Sequence, residues 1–91
     1  MMNQNELVVI NKLKQVEFDI AFIKSNLNRI VADLEKAKTD DRPHHEINRW
    51  KKYKSQQERY LCYAKAYKKN LQEEHKDVCE EWKKQMMELL S

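Results

Sequence analysis

The stretch VINKLKQVEFDIAFIKSNLNRIVADLEKA, from Val9 to Ala37, decides the fold. Val9, Leu13, Val16, Ile20, Ile23, Leu27, Ile30, Leu34 and Ala37 follow one another in alternating steps of four and three, and every one is apolar. A repeat of about 3.5 residues lays one seam of a helix along a neighbouring helix. The seam is mostly branched aliphatic and carries no polar break. It dictates how the chain packs and carries no reaction.

Working outward, the pattern predicts a first helix over about 4–38. Asn3 or Asn5 is placed to cap it, and Glu6 lies near the positive end of its dipole. The run Thr39-Asp40-Asp41-Arg42-Pro43 follows. Proline suits the first turn of a helix and discourages helix in the residue before it, so the loop is set at 39–42. Asp41 or Arg42 then caps a second helix that begins at Pro43. A link this short makes the two helices antiparallel neighbours. Leu34 should lie near Ile47, Ile20 near Leu61, and Leu13 near Lys68 and Leu71.

The second helix, over about 43–76, has an apolar stripe of Trp50, Tyr53, Tyr60, Leu61, Ala64, Tyr67 and Leu71. The stripe continues through Val78, Trp82, Met86 and Leu89, with Gln57 and His75 inside it. The lengths do not match. At 1.5 Å per residue the first helix is about 52 Å long, and a helix from Pro43 to Leu90 about 72 Å. The extension over 77–90 therefore either continues the second helix or folds back as a third. Asp77 with Glu80 resembles a capping box and allows a break near Glu74–Asp77. The absence of glycine and proline there favours a continuous helix. The fold expected is all-α: an antiparallel, coiled-coil-like helical hairpin with a C-terminal helical extension, one domain over 1–91.

Composition agrees. The chain has 91 residues, 36% of them charged and 41% hydrophobic, no glycine and one proline. Tight hairpins and phosphate-cradling loops lean on glycine, which argues against a sheet protein and against a P-loop or Rossmann site. No apolar run of about 18 residues is present to span a membrane. The start, MMNQNELVVI, lacks the basic region of a signal peptide. Cys62 and Cys79 lie too far apart on one helix to pair, and read as reduced thiols of a cytoplasmic protein.

Charge is segregated. Residues 1–41 carry a net −1, residues 42–69 a net +7 and residues 70–91 a net −3. The basic part interleaves Arg49, Lys51, Lys52, Lys54, Arg59, Lys65 and Lys69 with aromatic rings. That mixture suits nucleic acid, because cations neutralise phosphates and rings stack on unpaired bases. Against this, Trp50, Tyr53, Tyr60 and Tyr67 are expected to face the first helix, which would leave the cations as an ordinary solvated surface. The basic middle and acidic tail also suit a contact between two copies or an acidic protein partner.

Two apolar features point to protein partners. Phe18 and Phe22 lie opposite the seam, either covering a folded-back tail or forming an interface. Val78, Trp82, Met86 and Leu89 overhang the hairpin, and Trp and Met are enriched in interface cores. Chemistry is poorly supplied. His75 and Cys79 are four apart, but a closed zinc site needs four ligands. His44-His45-Glu46 has no pocket around it, and Cys62 no identifiable base. No cofactor, metal site or catalytic residue is expected. In outline such a hairpin resembles small helical chaperones, adaptors and phage-type inhibitors, with no residue motif favouring one. The sequence therefore reads as a non-enzymatic protein-interaction module, the expected partners being another protein and a second copy of itself, with a basic nucleic-acid-binding helix as the alternative.

Overall fold

The structure, a computed structural model, describes residues 3–90 and holds three helices and no strand among them. α1 spans Gln4–Thr39, α2 His44–Glu74 and α3 Lys76–Leu90. Asn3 caps α1. Its side chain accepts from the Glu6 backbone N–H at 2.9 Å, and the Glu6 carboxylate accepts from the Asn3 N–H at 3.3 Å. The pair reciprocally satisfies two donors near the helix start.

α1 ends in a tight closure. The Asp41 N–H donates to the Lys38 carbonyl at 3.2 Å and the Arg42 N–H to that of Ala37 at 3.0 Å. Asp41 sits in the left-handed region at φ 57. Glycine usually fills this place because it has no Cβ; a chain without glycine uses aspartate, one of the few residues that tolerate it. The cap expected at Asp41 or Arg42 is thus displaced by one or two residues. Both residues finish α1, and Pro43 is the N-cap of α2, with no side-chain capping bond.

The antiparallel hairpin forms, and burial follows three-and-four steps on both helices. On α1, Val9, Leu13, Val16, Ile20, Leu34 and Ala37 are buried, while Ile23, Leu27 and Ile30 are half-buried. Ile10, one position round from the seam, is buried as well. On α2 the less exposed positions are Ile47, Trp50, Lys54, Gln57, Leu61, Ala64, Lys68 and Leu71. The hairpin is therefore tight at its ends and looser in the middle. In the antiparallel register Ile23 and Leu27 fall beside Gln57 and Lys54, whose polar ends must reach water.

The tail departs from the continuous helix that the missing glycine and proline favoured. His75, at φ −125 and ψ 45, interrupts it. The His75 N–H still donates to the Leu71 carbonyl at 3.1 Å, and its own carbonyl accepts from the Cys79 N–H at 3.0 Å. The break puts at stake one or two helical hydrogen bonds, roughly 0.5–1.5 kcal/mol each. In return Cys79 is buried in one cluster with Val9, Leu13, Val16, Ile20 and Leu71, and Val78 and Trp82 pack against it. Full burial of one large apolar side chain contributes about 1.5–3 kcal/mol, so packing outweighs helix continuity.

The result is long and thin, with extents of 58 × 28 × 17 Å and a radius of gyration of 18.3 Å. A compact chain of this length would have a radius near 12 Å.

Candidate functional site

The outward side of α1 is unusual for so charged a chain. At 100° per residue, Leu7, Phe18 and Phe22 fall within an arc of about 60°. Phe18 is 66% exposed and Phe22 59%, and Leu7 and Val8 are also open to solvent. Asn11, Gln15, Ala21, Ser25 and Asn28 continue that side, with Lys14 beside them and the exposed Arg29 and Lys36 further along the same arc. The tail does not cover it. α3 packs with the seam cluster on the opposite side, so of the two readings of Phe18 and Phe22 the one in which they cover a folded-back tail does not hold.

The tail residues divide. Val78 and Trp82, read from sequence as a free overhang, are half-buried against the chain's own core. The stripe then runs out of the core: Met86 and Leu89 are exposed, as are Met87 and Leu90 beside them. Cys79 lies where the three helices meet. Burial, and secondarily the charge of Glu17, pushes its thiol above the ordinary value. Glu17 is held by Lys68 at 3.4 Å, an ion pair that joins α1 to α2.

The basic segment differs most from its sequence reading. Trp50 does turn inward, but Tyr53, Tyr60 and Tyr67 do not face α1: each is 47% exposed, and Tyr63 is 69% exposed. The inward places fall to Gln57, expected within the stripe, to Lys68, expected near Leu13, and to Lys54, which was expected on the solvated surface. The alternation of three and four set by α1 selects those positions and leaves the tyrosines, seven apart, on the flank. There a phenol covers apolar surface while its hydroxyl stays wet. Tyr53 meets Trp50 edge to face at 5.9 Å, and the Tyr60 hydroxyl accepts from Gln56 at 3.1 Å.

The cations split between two sides of α2. Arg49, Lys52 and Arg59 share the tyrosine flank; Lys51, Lys65 and Lys69 lie on the other, by helical angle. Lys54 pairs with Glu58 at 3.8 Å and Lys69 with Glu73 at 4.0 Å. On the tyrosine flank a shallow groove of about 430 Å³ is lined by Lys52, Tyr53, Gln56, Arg59, Tyr60 and Tyr63. Tyr63 and Gln56 had no place in the sequence reading, although Tyr63 stands one turn after Tyr60. A second open cleft of about 430 Å³, at the loop end, is lined by Asp33, Lys36, Asp40, Arg42, Glu46 and Arg49 beside Ala37 and Trp50. Its three carboxylates and three cations leave no net charge to select a ligand.

His44 and His45 are exposed at the start of α2, and Cys62 is an exposed free thiol on its outer surface. Among the described residues, no group of three or more His, Cys, Asp and Glu is placed to hold a metal ion. No helix among them is long and apolar enough to cross a membrane. No known protein family, curated protein or solved structure matches the chain.

Proposed function

We propose that this chain is a non-enzymatic protein–protein interaction module. It docks a helical face on a partner protein, as an adaptor, chaperone or inhibitor, and it pairs with a second copy of itself. The observation that carries the reading is the outward side of α1, with Phe18 and Phe22 more than half exposed and left uncovered by the chain's own tail. Monomers rarely leave such a patch wet, and rims of polar residues around apolar centres mark interfaces. Surface area supports it. The chain exposes 7482 Å², against about 5,700 Å² for a compact monomer of its mass. The excess exceeds the roughly 800 Å² per partner of a standard interface. Met86 and Leu89, where the α3 stripe leaves the core, extend the docking surface. Two free thiols suit the reducing cytoplasm.

Sedimentation velocity over a micromolar concentration series tests this. The wild type should shift towards dimer as concentration rises. Phe18→Ser with Phe22→Ser should stay monomeric with an unchanged helical spectrum, since both side chains are exposed. A wild type that stays monomeric throughout overturns the self-association, and the partner surface must then be sought elsewhere.

A further inference from the structure

We propose that the tyrosine flank of α2 is a binding site for single-stranded nucleic acid, independent of the Phe18/Phe22 surface. The site is the groove of Lys52, Tyr53, Gln56, Arg59, Tyr60 and Tyr63, prolonged by the half-exposed Tyr67. It has three properties together. Its rings are accessible: Tyr63 is 69% exposed, and Tyr53, Tyr60 and Tyr67, which the sequence assigned to the hairpin seam, stand on the flank with about half of each in water. Its cations are free, since Lys52 and Arg59 are exposed and make no ion pair among the described residues. Its lining holds no carboxylate, unlike the loop-end cleft, where three acids balance three bases.

A single strand repeats one flat base and one phosphate per nucleotide, and this lining repeats one or two rings and a cation per two turns. Tyr53, Tyr60 and Tyr67 recur every seven residues, about 10 Å apart along the helix, with Tyr63 between. Bases stack on the phenols while Lys52 and Arg59 neutralise phosphates. A duplex hides its base faces and can offer only phosphates to the same groove. An acidic polypeptide matches the cations and leaves the rings unused. Neither stacking nor phosphate contact reads the sugar, so ribose and deoxyribose strands should bind alike.

Fluorescence anisotropy with labelled oligothymidylate and oligouridylate of about ten nucleotides measures this directly. Both strands should bind the full-length protein at low salt, and a duplex of the same length should bind more weakly. Tyr63→Ala should weaken strand binding by roughly five- to a hundred-fold. Arg59→Gln should weaken it and flatten the logarithmic salt slope by about 0.7. Lys65→Gln, which removes the same charge from the opposite flank, should leave both nearly unchanged. The Phe18→Ser, Phe22→Ser pair should bind strands like the wild type, which separates this site from the self-association surface. The proposal is overturned if no strand binds at low salt. It is overturned equally if the duplex binds as well as the strand, if polyglutamate displaces the strand as readily as unlabelled strand does, or if Lys65→Gln acts as strongly as Arg59→Gln.

Discussion

Asp41 shows how one residue type shapes a turn. It occupies a left-handed position that glycine fills without steric cost. Asp41→Gly should therefore stabilise the protein by about 0.5–1 kcal/mol, net of the extra freedom glycine gives the unfolded chain. The melting temperature should rise by a few degrees, since about 1 kcal/mol corresponds to roughly 4–8 °C for a domain of this size. A fall would mean that the Asp41 side chain contributes more than its backbone costs. The cysteines give a second test. Native protein should react with a maleimide at Cys62 and not at Cys79, which should be modified only after unfolding. The raised Cys79 value also has a sign. The fold favours the neutral thiol, so its contribution is complete below the unfolded thiol value of about 8.5 and is lost as pH climbs through the higher folded value. Chemical denaturation from neutral to alkaline pH should show a steeper loss of stability for the wild type than for Cys79→Ala; equal slopes would mean that the thiol is not shielded.

At the scale of elements, the seam of α1 is continuous in sequence but not in its burial. Leu13 is 1% exposed and sits in the three-helix cluster, whereas Ile23 is half-buried beside the polar middle of α2. Leu13→Ala should cost about 2–5 kcal/mol and Ile23→Ala distinctly less, because a cavity forms only where neighbours enclose it. Urea titrations of the two variants check the order, and equal losses would show that the hairpin is as tight in the middle as at the α3 end. α3 is the element that makes the difference. Its first half completes the cluster through Val78, Cys79 and Trp82, and its second half carries Met86 and Leu89 into solvent.

The whole molecule has little thickness in which to hide apolar surface. With its smallest extent at 17 Å, nearly every residue outside the seam touches water. Such a shape leaves long side surfaces of all three helices open to solvent. Small-angle scattering at low concentration should give a radius of gyration near the 18.3 Å of the structure. A value near the roughly 12 Å of a compact chain would mean that the hairpin folds onto itself.

The sequence by itself determined the helices and their pairing. The apolar steps from Val9 to Ala37, the link at Thr39–Pro43 and the absence of glycine leave an all-helical hairpin as the one economical arrangement. Asn3 or Asn5 and the acidic Glu6 marked its start, because capping is local, and the structure settled the cap on Asn3 with Glu6 closing the reciprocal pair. Only the tertiary structure decided the break at His75, since no local breaker marks it; the gain comes from side chains of α1 far away in the chain. It also decided which residues of α2 turn inward. Periodicity on α2 allowed the tyrosines on the seam beside Gln57 and Lys68, and packing against α1 kept those two, added Lys54 and left the tyrosines on the flank. Hydropathy ranks tyrosine as core material, whereas packing against a fixed partner asks which positions meet it. That difference is why the accessible rings were visible only once the helices were set against one another, whereas the place of Phe18 and Phe22 opposite the seam was legible from spacing and the structure decided only that the tail leaves them uncovered.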